Sequence, residues 1–186
     1  MRTIKLSDMQ RIVVGVDPPG GIITECGIVV AGKGFDEHGY VLDDKSMTGT
    51  PGEWSSTVIN AFTSWRADCI VAEANFGGLM VEATIIGAAA ASDQVCRYKN
   101  VHASRGKAVR AEPIVARYEK GVVHHVGEFS ALEDEMVSWV PGESKYSPNR
   151  IDALVWALTE LFIEQPLQFD SPLPVPSGGS SRFMPY

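Results

Sequence analysis

Three acidic residues sit where apolar runs end or begin. Asp17 closes the run Arg11-Ile-Val-Val-Gly-Val-Asp17, and Glu73 closes Cys69-Ile-Val-Ala-Glu73. Asp152 ends Ser147-Pro-Asn-Arg-Ile-Asp152, at the start of an apolar segment with helical spacing. A carboxylate beside a core costs free energy unless its charge is compensated. Three of them, from separate parts of the chain, would form a set of hard oxygen ligands suited to Mg²⁺ or Mn²⁺. That set points to phosphodiester hydrolysis with two divalent cations roughly 3.5–4 Å apart, one activating water and the other stabilising the leaving 3′ oxygen. Asp17, at the end of a central strand, is the residue expected to bridge both ions. Without metal the three charges repel, which predicts raised carboxylate pKa values. Each acid also has a plainer role open to it. Asp17 could start the turn completed by Pro18 to Gly21, Glu73 could be a solvated strand end, and Asp152 could face its helix dipole for about 0.3–1 kcal/mol.

Positioning such residues requires a sheet. Residues 11–17 read as a buried strand, and Pro18-Pro19-Gly20-Gly21 forces a turn. Strands over 24–31 and 40–45, joined by short links, predict an antiparallel meander. Thr50-Pro-Gly-Glu53 has the form of a capping box and opens a helix to Trp65 or Arg66. Residues 69–73 are apolar throughout, as a central parallel strand would be. A helix over 77–91 with Asn75 as its cap, a strand over 95–99 and a helix over 104–119 follow. Pro113 is expected to kink that helix or to start a new one. A short strand over 122–126, a helix over 130–139 and a last helix from Pro148 to Glu164 complete the order. Residues 165–186 hold Pro166, Pro172, Pro174, Pro176 and Pro185, so one folded domain over 1–164 with a flexible tail is expected.

The chain has 186 residues and a net charge of −7, with three cysteines scattered through apolar segments. That usage predicts free thiols in a reducing compartment. No apolar stretch has the length of a membrane span, and residues 1–8 lack a signal core, so a cytoplasmic location is expected. The acidic total hides a basic stretch. From Arg97 to Lys120 there are seven basic and two acidic residues, a local charge of +5 against −12 for the rest. Local positive charge beside acidic ligands suits a phosphate backbone. Lys107 and Arg110, three apart on one helical face, are the first candidates for DNA contact, joined by Arg105 and by Arg150. His124 and His125 alternate on a strand, so at most one can face a site, and Trp54, Trp65, Trp139 and Trp156 fit core positions.

Together these segments resemble the C-terminal nuclease domain of phage terminase large subunits. The resemblance rests on Val13-Val-Gly-Val-Asp-Pro-Pro-Gly-Gly21, Val71-Ala-Glu-Ala-Asn-Phe-Gly-Gly78 and Ser147-Pro-Asn-Arg-Ile-Asp-Ala-Leu-Val-Trp-Ala-Leu158. Ser104-Arg-Gly-Lys-Ala-Val-Arg-Ala-Glu-Pro113 and Tyr118-Glu-Lys-Gly-Val-Val-His-His-Val-Gly127 extend it, so it spans roughly residues 11 to 164. It implies a ribonuclease H-like α/β fold, a mixed five-stranded sheet of three antiparallel and then parallel strands flanked by helices. It implies an endonuclease that cuts concatemeric double-stranded viral DNA during packaging, with two Mg²⁺ or Mn²⁺ held by Asp17, Glu73 and Asp152. The partners implied are double-stranded DNA, a terminase ATPase domain, a small subunit and a portal, in a bacterial host cell.

Leu79 and Asn149 depart from the family pattern, which favours an acid at each. Asp43 or Asp44 could approach from the third strand. No Gly-x-x-x-x-Gly-Lys-Ser/Thr loop is present, so the chain is not expected to be a complete packaging motor. The rival readings are a Holliday-junction resolvase-like nuclease and a non-catalytic portal or motor docking module.

Overall fold

In a computed structural model, residues 4–21, 24–74, 78–103, 106–144 and 146–163 are described. The expected tail, Arg105, and the expected helix starts at Asn75, Gly77 and Ser104 lie outside them. After a 3-10 turn at Leu6–Asp8 come β1 (Met9–Asp17), β2 (Glu25–Gly34), β3 (Gly39–Asp44) and the two-residue β4 (Met47–Thr48). Then follow α1 (Pro51–Ser64), β5 (Cys69–Glu73), α2 (Gly78–Ala91), β6 (Tyr98–Val101) and α3 (Lys107–Glu119). The last elements are β7 (Val123–His125), α4 (Ser130–Ser138) and α5 (Asn149–Phe162).

The main path of the sheet runs β6-β5-β1-β2-β3-β7. Its five-stranded centre is the expected one: β1, β2 and β3 are antiparallel, while β5 and β6 run parallel to β1. The short β7 extends it parallel to β3, and β4 pairs with β2. Two sequence expectations shift. The fifth strand begins at Tyr98 rather than Val95, which is fully solvated. Pro113 lies inside a continuous α3. The carbonyl it strands belongs to Val109, an exposed residue, so water can take the missing donor's place. No helix among the described residues is long and apolar enough to cross a membrane.

Strand side chains alternate between faces, and this parity builds two cores. Val14 and Val16 of β1, with Ile28, Val30 and Ile70, pack under α1 and α2. Val13, Val29, Ala31, Cys69 and Val71 pack under α3, α4 and α5. The capping box of α1 forms as written, with Thr50 N donating to Glu53 Oε2 at 2.8 Å and Glu53 N donating to Thr50 Oγ1 at 3.4 Å. By the same parity Asp17 and Glu73 belong to the α5 side of the sheet.

One buried charge lies within this second core. Glu160 of α5 is 2% exposed, is ion-paired with Arg11, and accepts from Lys99 Nζ at 2.7 Å. Arg11 also donates from Nη1 to the Glu160 carbonyl at 3.1 Å. Removing the shared anion leaves two cations with little water around them, which costs about 3–5 kcal/mol for a buried pair. Glu160→Gln is therefore expected to lose at least about 3 kcal/mol in urea unfolding. A loss below about 1 kcal/mol would show that the cations are solvated and that the triad does not hold α5.

Candidate active site

The C-terminal ends of β1 and β5 and the first turn of α5 meet at one edge of the sheet. Asp17 is 8% exposed and Asp152 is 3% exposed, and Glu73 is half-buried. Helix α3 supplies the counter-charges. Lys107 Nζ is ion-paired with Asp152 Oδ2 and donates to Ser147 Oγ at 2.8 Å. Arg110 bridges Glu73 and Asp152, from Nη1 to Glu73 Oε2 at 3.2 Å and from Nη2 to Asp152 Oδ1 at 3.3 Å. Its guanidinium lies 4.4 Å from the Trp156 ring centroid. Trp156, one helical turn after Asp152, donates from Nε1 to the same Glu73 Oε2 at 3.2 Å.

Among the described residues, Asp17 has no such cation in contact. Burial, with the Asp152 charge second, pushes its carboxyl up to about 8, against the weaker opposing pull of Lys107. Burial also raises Asp152, opposed by the hydrogen bond and charge of Lys107. Among the described residues, no three His, Cys, Asp or Glu side chains are gathered closely enough to enclose a metal ion. Lys107 and Arg110 stand between the carboxylates instead.

The profile of the Terminase RNaseH-like domain family matches residues 14–161. The chain belongs to this family. No curated protein matches it by sequence. Among solved structures it is similar to the large terminase nuclease from thermophilic phage G20c with bound zinc, with a TM-score of 0.57 and 15% identity, covering 81% of each chain. It is also similar to Thermus thermophilus RuvC, with a TM-score of 0.50 and 18% identity over 81% of this chain and 93% of that one. The RuvC complex with Holliday junction substrate gives 0.48 and 16% over the same shares. The fold is thus ribonuclease H-like.

Within this terminase domain the four basic candidates have separate places. Lys107 and Arg110 both reach the carboxylates. Arg150 lies two residues before Asp152, but its guanidinium is ion-paired with Glu25 and Asp44, fastening α5 to β2 and β3. Arg105 lies outside the described residues. The basic stretch is not one surface, because its members sit on different elements: Lys99 pairs with Glu160, and Arg117 stacks on Phe162 with 4.2 Å to the ring centroid.

The other side chains singled out in the sequence go elsewhere. Asp43 accepts from Trp65 Nε1 at 3.0 Å and pairs with Lys45, while Asp44 pairs with Arg150. Asn149 donates its amide to the Glu25 carbonyl at 2.7 Å, and Leu79 is exposed. His125 meets Glu133 and Tyr118, and His124 meets His38. The terminase-domain residue that sequence reasoning assigned only to the core is Trp156. Its signal was the four-residue spacing from Asp152, which puts both side chains on one face of α5.

Proposed function

We propose that this domain is a metal-dependent endonuclease that hydrolyses phosphodiester bonds of double-stranded viral DNA during genome packaging. The observation that carries this reading is the meeting of Asp17, Glu73 and Asp152, from three distant segments, at one sheet edge, with Asp17 buried and its carboxyl raised despite the pull of Lys107 and Arg110. Natural cores avoid such a group unless something else supplies the charge. Three carboxylates are the oxygen-ligand type that a hard divalent ion takes, and Lys107 and Arg110 already stand where positive charge is wanted. Two Mg²⁺ or Mn²⁺ held by Asp17, Glu73 and Asp152 would supply an activated water and stabilise the leaving 3′ oxygen. The zinc named with the G20c phage nuclease supports a metal-binding site on this fold.

The chain's own residues divide the remaining work. Lys107, 38% exposed at its side chain, can turn from Asp152 to a backbone phosphate. Arg110, 11% exposed and stacked on Trp156, stays in place and holds Glu73 and Asp152 in register. Arg150, already paired twice, acts through the placement of α5. Membership of the terminase family supports a packaging setting, in which an ATPase domain, small subunit and portal bring DNA to this site inside the bacterial host.

Supercoiled plasmid incubated with the purified chain and Mn²⁺ or Mg²⁺ is expected to be nicked and linearised, leaving 5′-phosphate and 3′-hydroxyl ends. EDTA, Asp17→Ala and Asp152→Ala are each expected to abolish this. Faster cleavage of four-way junctions than of linear duplex would replace the packaging reading with resolution of junctions. A folded wild-type chain that cuts nothing with either metal would leave docking to the packaging machine as the function.

A further inference from the structure

Glu73 is the least buried of the three acids. Two donors nevertheless converge on a single oxygen, Oε2: Arg110 Nη1 and Trp156 Nε1, each at 3.2 Å. Two bonds to one oxygen fix the rotation of a carboxylate and direct its second oxygen. The donors are also tied to each other. Trp156 is almost fully buried, and the Arg110 guanidinium lies over its ring. Arg110 keeps this position although its Nε is buried without a hydrogen-bond partner among the described residues. A native side chain bears that cost where its position matters more than its own satisfaction.

We propose that Trp156 is the positioning residue of this site: its indole N–H fixes Glu73 Oε2, its ring parks Arg110, and Oε1 of Glu73 is thereby presented to a divalent cation. The role rests on the metal-dependent reading above and adds to it a residue that touches neither metal nor DNA. The α5 helix then contributes twice, with Asp152 as a ligand and Trp156 as the support of a ligand on another strand. Groups that orient a metal ligand through a hydrogen bond typically set metal affinity by 10- to 100-fold.

Trp156→Phe keeps an aromatic face for Arg110 and removes the N–H together with the volume of the indole's second ring, at a buried position. Calorimetric titration with Mn²⁺ is expected to show roughly 10- to 100-fold weaker binding than wild type. Plasmid cleavage should fall at low Mn²⁺ and recover at saturating Mn²⁺, a split that general loosening of the core would not give. Wild-type Mn²⁺ affinity in Trp156→Phe, or a loss of cleavage that saturating Mn²⁺ leaves uncorrected, would overturn the assignment while the metal reading stands. Absence of Mn²⁺ binding by the wild-type chain would overturn both. Should Trp156→Phe fail to fold, the wild-type chain labelled with [¹⁵N]Trp gives the answer. One of its four indole N–H peaks is expected to move with Mg²⁺, and the same peak to move in Glu73→Ala. If no indole peak responds to both, Trp156 does not support Glu73.

Discussion

Asp17→Asn is expected to make the metal-free protein more stable at pH 8 and to leave it unable to nick DNA. The Asp17 carboxyl is pushed up to about 8 in the folded chain, first by burial and then by Asp152, from an ordinary value of 3.8. The folded state therefore holds a proton that the unfolded chain releases over this window. Stability falls with rising pH wherever the folded state binds more protons. The contribution is complete below about pH 4, declines as pH rises, and is gone above about pH 8. At 1.36 kcal/mol per pKa unit the whole swing is on the order of 3–6 kcal/mol. Asparagine keeps the shape without the charge and can donate to Asp152 or Glu73. Urea unfolding in EDTA should give nearly equal stabilities for the two proteins near pH 4 and a clear advantage for Asp17→Asn at pH 8. Mn²⁺ should narrow the gap by stabilising wild type alone, through binding to the folded state. Equal stability at pH 8 in EDTA would mean that Asp17 is hydrated or paired, and the main support for a metal at this edge would go with it.

Asp17, Glu73 and Asp152 were legible in the sequence because each interrupts an apolar pattern at its end, where a strand or helix meets solvent. Parity then does the rest: Asp17 and Glu73 share the face of Val13 and Val71, so they point toward α5 without further assumption. The partners of these acids were less legible. Lys107 and Arg110 were expected to meet phosphate; in the fold both turn inward and supply the counter-charges of Asp152 and Glu73. Composition could not separate Lys99 from Lys107, although one lies on β6 beside Glu160 and the other on α3 beside Asp152. That distinction depends on which elements become neighbours. The short β4 was missed for a different reason. Its two residues, Met47 and Thr48, are too few to carry a period, and they form a strand only because β2 offers them hydrogen bonds.

The approach of α5 to the sheet is the least visible part of the sequence and carries a large predicted effect. A Cβ on Gly27 would lie 1.9 Å from the Asn149 carbonyl oxygen and 3.1 Å from Ala153 Cβ. One on Gly15 would lie 2.1 Å from the Ala153 carbonyl oxygen and 2.9 Å from Ala157 Cβ. These are mostly backbone contacts that no change of rotamer relieves. Two glycines on adjacent strands thus face Ala153 and Ala157, and this close seat brings Asp152 beside Asp17. Gly27→Ala must push the first turn of α5 outward, whereas an overpacked core usually costs 1–3 kcal/mol. We expect a loss of about 3 kcal/mol or more in urea unfolding, because backbone blocks the methyl group. The molecules that remain folded should cut plasmid about 100-fold more slowly, since a displacement near 1 Å at a reacting group costs about that much. Raising Mn²⁺ should not restore the rate, because Asp152 itself has moved. This separates Gly27→Ala from Trp156→Phe, in which the ligands keep their places and only the hold on Glu73 is lost. Wild-type stability and wild-type nicking in Gly27→Ala would show that α5 sits further from β2 than described, and that something other than its close packing sets the distance between Asp17 and Asp152.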